Sequence, residues 1–415
     1  MRKNIFIQDI SKLFFVGVMA VACICALVQM YAIPYRNALL MMMANRAMVF
    51  VWLLAAVIML LVYGANMMKG TIFMLLMTVV AFSLSVADLR ENFSGNLPSL
   101  LNFIVMPLML IFFAYSDVDE IVKPMLLFTN IALSVLFIYL SRSSMAYRLE
   151  GPYFTVLNGD LSLGYPNPNQ AAIYLFICAL NLVVGFFYFK KKILKVLCAA
   201  DFVYMLVLIE KTKCRTSLLL VVVFLALLIW RKQPKAMIDI FILTPLVYAV
   251  ASHVAYAQFG DIQIMGETVF NGREEIFDRY FSGLDGMKFL IGDYARFKFD
   301  NLHNAYISVA ATAGIVVLLF YIRMFRMHLV QNHKLGISRG YERVAFIGFL
   351  CIILYSTTEA AGLVGGTNYA FMNISLFAYF SKPFAKPDYA ARGAVNENSG
   401  IPSEGGTGNE LYRTW

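Results

Sequence analysis

Charged side chains are scarce in this sequence of 415 residues. Only 14% of the residues are Asp, Glu, Lys or Arg, whereas 60% are hydrophobic, and the mean hydropathy is +0.71. Ordinary globular domains carry about 25% charged residues. This shortage of charge excludes a soluble or secreted enzyme, and it predicts an all-α polytopic integral membrane protein.

Histidines and metal-binding motifs are also scarce. The chain has four histidines, at His253, His303, His328 and His333. It has no H-E-x-x-H pattern and no Walker loop, and no carboxylate pair points to a metal centre. The six cysteines lie in or beside apolar runs without metal-ligand spacing, which predicts buried packing residues. We therefore expect neither a metal nor a cofactor.

Features of three other protein classes are missing as well. The basic start MRKNIFIQDISK leads into an apolar run without a small-residue cleavage site, which predicts a retained first helix rather than a signal peptide. No internal repeat is visible, which weakens the case for a transporter built from paired repeats. The net charge of +9 is distributed as expected for membrane orientation, so we expect no nucleic-acid partner.

Long apolar runs are abundant instead. A membrane-spanning helix needs about 20 mostly apolar residues. A polytopic membrane domain is predicted over residues 1–382, and the Gly-, Asn-, Ser- and Pro-rich tail 383–415 is predicted to be disordered. About twelve runs approach the required length: 13–33, 38–63, 71–87, 99–115, 122–140, 170–189, 193–210, 216–230, 236–256, 303–322, 343–357 and 367–381.

The basic residues predict the direction of these spans. With both termini in the cytoplasm, the short basic turns face the cytoplasm, as the positive-inside rule requires. The opposite turns, 88–98, 141–169 and 257–302, are longer and less basic for their length. Residues 257–302 are therefore predicted to form a large extracytoplasmic loop between spans nine and ten, with one short helix around 273–284.

Two arginines at the predicted outer face need an explanation, because charge near the bilayer is costly. Arg215 lies at the outer start of span eight, where a helix N-terminus favours an anion. Snorkelling toward lipid phosphates is the alternative. Arg273 begins the short helix of the large loop, and arginine suits bidentate phosphate recognition. Surface pairing with Glu274, Glu275 or Asp278 is its alternative.

A histidine and an asparagine open span ten at the same face. An imidazole at the water boundary, that of His303, can serve as a general base, and a polar anchor is the alternative. On a continuous helix His303 shares one face with Ala310 and Gly314. Those two small residues predict close helix packing. Asn304 follows His303 and is a second candidate for polar contacts at this boundary.

Amides and one acid complete the candidate set. Asn167 and Asn169 precede span six, where they could cap the helix or hydrogen-bond a polyhydroxylated ligand. Glu359 lies between two short apolar runs and is expected to line an outer cavity.

Cations and a potential base on one face suit a phosphate-bearing substrate and an acceptor that must lose a proton. Nucleotide sugars are absent outside the cytoplasm, so a membrane-anchored donor fits better.

Together these stretches resemble the O-antigen ligase and O-antigen polymerase superfamily of bacterial membrane glycosyltransferases. The resemblance covers roughly residues 165–325, and the first five spans contribute only topology. In the C-R-T-S element, Cys214 stands where the family commonly has Ser. The resemblance rests on N-P-N at 167–169, C-R-T-S at 214–217, G-R-E-E-I at 272–276, and H-N-A-Y-I at 303–307 followed by Gly314.

The resemblance implies a C-type multi-span glycosyltransferase that works without metal on a glycan carried by undecaprenyl diphosphate. Arg215 and Arg273 are then expected to bind the diphosphate, and His303 to deprotonate or position the acceptor hydroxyl. The implied partners are a lipid-linked donor and acceptor in the bilayer, with a flippase and a chain-length regulator. The residues expected to position the substrate are Asn304, Asn167, Asn169 and Glu359.

Three functions fit this reading of the chain. We expect a polymerase of lipid-linked repeat units for O-antigen, capsule or exopolysaccharide, acting on the outer face of the bacterial cytoplasmic membrane. No feature is dedicated to a core oligosaccharide, which disfavours the alternative of a ligase that transfers the glycan to lipid A core. A transporter or flippase of the same glycan needs charges along a path open to both sides.

Overall fold

A computed structural model of the protein describes residues 2–63, 108–115, 119–147, 159–230, 235–260, 263–264, 267–268, 273–283, 286–297, 302–335, 337, 340–359 and 367–381. Nearly all of these residues are helical. The helices are α1 (Arg2–Ala32), α2 (Ala38–Tyr63), α3 (Asp119–Ser141), α4 (Pro168–Tyr188), α5 (Lys192–Lys211), α6 (Arg215–Ile229), α7 (Lys235–Phe259), α8 (Arg273–Ser282), α9 (Gly286–Ile291), α10 (Tyr294–Phe297), α11 (Ala305–Lys334), α12 (Gly340–Tyr355) and α13 (Thr367–Phe380), and residues 108–115 are also helical.

Several of these helices can cross a membrane, which confirms the predicted class of helical membrane protein. Among the described residues, α6 and the segment Phe371–Phe380 are apolar but shorter than a typical span. The run 71–87, most of 99–115 and the tail 383–415 lie outside the described residues, so the number of twelve spans stays a prediction. Six segments are long and apolar enough: Lys12–Ala32, Ala38–Leu61, Glu120–Ser141, Pro168–Tyr188, Lys235–Phe259 and Ala305–Lys334.

The helix α4 lies at the centre of the bundle. It packs against α3, α5, α12 and α13, and every residue from Ala171 to Leu182 is buried. Apolar residues all around a helix suit such a fully surrounded position. Large apolar side chains on the outer helices are exposed instead, as expected of surfaces that contact lipid; examples are Val57 on α2, Val203 on α5, Val222 on α6 and Val247 on α7.

Basic residues of the predicted cytoplasmic turns meet at one end of the bundle. Arg326 Nε on α11 lies 2.6 Å from Asp239 Oδ1 near the start of α7. Arg343 on α12 donates a hydrogen bond to the carbonyl of Leu228 at the end of α6, at 3.1 Å. These turns therefore share one end, as the charge pattern predicts. The orientation of that end stays a prediction.

The predicted outer turns meet at the opposite end. The Leu161 amide donates to the Lys211 carbonyl at 2.9 Å, which joins the loop before α4 to the end of α5. The Ala305 amide donates to the Ser356 carbonyl at 2.9 Å, which joins the start of α11 to the end of α12. All candidate site residues belong to this end.

The segment between α7 and α11 is more structured than the sequence indicated. The predicted short helix is found as α8, beginning at Arg273, but α9 and α10 were not predicted. Two short antiparallel strands, Gln263–Ile264 and Glu267–Thr268, precede α8. Phe277 and Tyr280 anchor α8 with their buried side chains, and burial raises the pKa of the Tyr280 hydroxyl.

The prediction of a continuous helix at the start of span ten is wrong. Gly314 has φ 87° and ψ 163°, which interrupts α11. Gly314 therefore does not continue the face of Ala310, although the expected close packing is present. His303 lies before the first turn with φ 49°, so it does not share a helical face with these residues either.

Candidate functional site

Glu359 is the centre of a cluster of four predicted site residues. It follows α12, and its side chain is 11% exposed. Its Oε1 atom accepts a hydrogen bond from Asn169 Nδ2 at 3.3 Å. The same atom lies 3.5 Å from Arg273 Nη2 and 3.6 Å from His303 Nδ1. Residues separated widely in sequence thus converge on one carboxylate oxygen.

Arg273 enters this cluster from the start of α8. Its side chain is 14% exposed, so it is not the solvated surface residue of the alternative reading. The acids of α8 have other neighbours: Glu275 lies 3.2 Å from Arg279, and Asp278 lies 3.1 Å from His253. Arg273 is therefore aimed at Glu359 rather than at its own helix.

A tyrosine supports Arg273, and a buried acid follows Arg273 in the sequence. Tyr248 on α7 interacts with both Arg273 and Glu274. The Glu274 side chain is fully buried, and neither of its carboxylate oxygens has a hydrogen-bond partner among the described residues. Glu274 lies in the first turn of α8, where the helix dipole favours negative charge. Sequence reasoning missed Tyr248, because an aromatic residue inside an apolar run carries no functional signal.

The cluster is recessed below the end of α7. Tyr248 lies about three turns before the last residue of α7, roughly 16 Å along the axis at about 1.5 Å per residue. Arg273 contacts α7 at that level. A guanidinium and a carboxylate at this depth among apolar helices are expensive to bury, and such groups commonly serve function.

His303 adopts an unusual backbone conformation. Its φ of 49° lies in the left-handed region, which non-glycine residues rarely occupy. Strain of this kind concentrates at functional sites. The side chain is 25% exposed, so the imidazole contacts Glu359 and is still accessible from outside.

Asn304 holds His303 in place. Its Oδ1 accepts from the amides of Tyr306 and Ile307, at 2.9 and 3.1 Å, and caps α11. Its Nδ2 donates to the carbonyls of Pro245 and Thr357, at 2.9 and 3.1 Å. The side chain is fully buried and all of its hydrogen-bonding groups are engaged. Asn304 is therefore a structural cap in this geometry, and its role in positioning the substrate stays a prediction.

The two asparagines before α4 have different positions. Asn167 caps α4, since its Oδ1 accepts from the Asn169 amide at 2.8 Å, and Pro168 fills the first helical position. This is the capping alternative that the sequence left open. Asn169 instead directs its side-chain amide to Glu359. Of the two residues, only Asn169 belongs to the cluster.

Arg215 lies beside the cluster rather than within it. It is the first residue of α6, as predicted, and its side chain is exposed. The next residue, Thr216, accepts a hydrogen bond from Thr358 at 3.4 Å, and Thr358 precedes Glu359. Below them, the Ser217 and Tyr355 hydroxyls lie 2.9 Å apart. The start of α6 is therefore attached directly to the segment that carries Glu359.

Cysteines and potential metal ligands add little to this site. All six cysteines are free and buried, as predicted from their apolar surroundings. Among the residues that the structure describes, no group of three His, Cys, Asp or Glu side chains is placed to hold a metal ion.

Comparison with protein-family models, with curated proteins and with solved structures finds no match. The chemistry of the site is therefore inferred from its own geometry.

Proposed function

We propose that the protein is a membrane glycosyltransferase that polymerises lipid-linked oligosaccharide repeat units. The donor is a glycan on undecaprenyl diphosphate, the acceptor is a second lipid-linked unit, and the product is a surface polysaccharide. The observation that carries the proposal is the meeting of a guanidinium, an imidazole and an amide around Glu359 at one end of a helical bundle. The resemblance of these stretches to the O-antigen ligase and polymerase superfamily points to the same chemistry.

The donor's diphosphate is bound by two arginines in this proposal. Arg273 offers a recessed guanidinium, and Arg215 offers an exposed one at the N-terminus of α6. Free helix amides and a guanidinium together make a favourable anion site. Negative charge grows on the diphosphate as it leaves, and fixed cations in a water-poor site stabilise that charge strongly.

His303 acts on the acceptor. Its imidazole takes the proton of the acceptor hydroxyl, and the hydroxyl oxygen forms a bond with the anomeric carbon of the donor. The bond between that carbon and the diphosphate oxygen breaks, and undecaprenyl diphosphate leaves with the electron pair. Arginine charge takes the place that a metal ion fills in other transferases, so the proposed reaction is metal-independent.

The decisive experiment separates polymerase from ligase. Purified protein in lipid nanodiscs is incubated with undecaprenyl-diphosphate-linked repeat units alone, and the products are resolved by gel electrophoresis. A ladder of lengthening glycans is expected. Transfer only to added lipid A core identifies a ligase. Flipping of labelled lipid-linked glycan across liposomes, without any new glycosidic bond, identifies a transporter.

A further inference from the structure

One carboxylate oxygen of Glu359 faces three side-chain nitrogen atoms. Asn169 Nδ2, Arg273 Nη2 and His303 Nδ1 lie 3.3, 3.5 and 3.6 Å from Oε1. Charge-assisted N–H···O bonds are usually about 2.7–2.9 Å long. Neither the arginine nor the histidine contact therefore has the length of a fully formed bond. A small rotation of the Glu359 side chain shortens one of them at the expense of the other.

The backbone beside this carboxylate is held firmly. The amides of Thr358 and Glu359 both donate to the Tyr355 carbonyl, at 3.1 and 3.2 Å. Thr358 also contacts Thr216 on α6. The Glu359 side chain can therefore rotate between its neighbours while the backbone stays in place.

Arg273 does not depend on Glu359 alone. Tyr248 on α7 interacts with it. This contact keeps Arg273 in position when Glu359 turns away. A phosphate oxygen and the Glu359 carboxylate are both anions, so they compete for the same guanidinium.

We infer that Glu359 changes partners when the donor binds, an inference that rests on the proposed function. In the substrate-free protein its carboxylate is shared between Arg273 and His303, at 3.5 and 3.6 Å. A bound diphosphate takes over Arg273, and Glu359 then accepts the Nδ1–H of His303. That bond fixes the imidazole tautomer whose Nε2 lone pair faces the acceptor hydroxyl. Donor binding thus activates the base, and Glu359 is a positioning residue that acts through His303.

The test combines anion binding with turnover. Binding of inorganic pyrophosphate to protein in nanodiscs is measured by calorimetry for the wild type and for Glu359→Gln. The glutamine keeps an oxygen for Asn169 but no longer competes for Arg273. Pyrophosphate is expected to bind about threefold more tightly or better, since a partly buried ion pair is lost from the free state. The kcat for glycan transfer is expected to fall at least about tenfold, because the base loses its orienting carboxylate.

Two further variants make the result specific. Glu275→Gln removes an exposed carboxylate from the same region and is expected to change neither measurement. Arg273→Gln is expected to abolish the gain in pyrophosphate binding when it is combined with Glu359→Gln. A purely structural Glu359 predicts weaker binding and weaker turnover together, or no change in either. Unchanged or weaker pyrophosphate binding by folded Glu359→Gln protein overturns the inference.

Failure of the proposed function has a different signature. If the wild type transfers no glycan but the binding differences hold, the exchange of partners stands as a property of an anion site. If the wild type is active and Glu359→Gln keeps its kcat, the exchange is wrong and the glycosyltransferase assignment stands. Size-exclusion profiles of each variant establish that the comparison is made on folded protein.

Discussion

Gly292 and Gly314 meet backbone to backbone at the interruption of α11. A Cβ atom added to Gly314 would lie 2.0 Å from the Leu290 carbonyl oxygen, and one added to Gly292 would lie 2.6 Å from the Ala313 amide nitrogen. Both glycines have positive φ, and the Asp293 amide donates to the Ala311 carbonyl at 2.7 Å. This contact fixes the loop that carries α8, and therefore Arg273, against the helix that follows His303.

Replacing Gly314 by alanine is expected to break this contact. The added Cβ collides with backbone, and positive φ alone costs a non-glycine residue roughly 1–3 kcal/mol. We expect a clear fall in the thermal unfolding temperature of the protein in nanodiscs, together with loss of glycan transfer. Gly286→Ala is the matched control, because a Cβ at Gly286 has no heavy atom within 4 Å. Equal stability of the two variants contradicts the proposed close approach.

His303→Ala tests the proposed base. Loss of a general base typically lowers a rate by roughly 10²–10⁴-fold, and we expect kcat for glycan transfer to fall within that range. Pyrophosphate is expected to keep binding, because Arg273 and Arg215 are intact, but more weakly than to the wild type, because Glu359 loses the partner that it takes when it releases Arg273. His333→Ala serves as the control, since His333 lies near the other end of α11. Transfer at the wild-type rate by His303→Ala protein removes His303 from the mechanism.

The helix starts within the site could be predicted from sequence. Arg215 and Arg273 are the first residues of α6 and α8, as expected. Local signals suffice there, because an apolar run or a preceding glycine marks where a helix begins. The burial of the cysteines was predictable for a similar reason, since each lies in or beside an apolar run.

The convergence on Glu359 could not be derived from sequence. Asn169, Arg273 and Glu359 come from three distant segments, and only tertiary packing decides which side chains meet. The positive φ of His303 has no sequence signal either, because only a small minority of histidines adopt that region. The sequence predicts Gly314 to be a packing residue within a helix, since a glycine that breaks a helix looks the same in sequence as one that lets two helices approach.

Arg273→Lys is expected to weaken donor recognition while keeping the positive charge. Lysine lacks the planar fork that binds two phosphate oxygens at once. We expect a rise in KM for the lipid-linked donor, and weaker pyrophosphate binding, by about tenfold. Arg279→Lys on the same helix is the control, because Arg279 is 68% exposed and its pair with Glu275 is a surface pair of small value. Similar KM values for the two variants show that the planar guanidinium of Arg273 is not required.

The orientation of the bundle can be tested by cysteine labelling. The six native cysteines are buried, so a membrane-impermeant maleimide is expected to leave the wild type unlabelled. Lys213→Cys lies at the predicted outer end, and Lys235→Cys lies at the predicted cytoplasmic end; both side chains are exposed. Intact spheroplasts should label the first variant only, and permeabilised ones both. Labelling of Lys235→Cys alone in intact spheroplasts reverses the orientation and excludes an outer-face reaction.

Asn304→Ala tests whether the buried cap supports His303. The variant loses a helix cap, worth about 1 kcal/mol, and leaves two buried carbonyls with fewer partners at about 1–3 kcal/mol each. We expect a loss of at least about 3 kcal/mol in unfolding free energy, measured by denaturant titration of the nanodisc or micelle form. Asn37→Ala is the control, since Asn37 caps the exposed start of α2 and its loss should cost about 1 kcal/mol.

Asn304→Asp keeps the cap acceptor but sets a carboxylate oxygen against the carbonyls of Pro245 and Thr357. If the aspartate variant is as stable as the wild type, the two donated hydrogen bonds do not hold His303 in place.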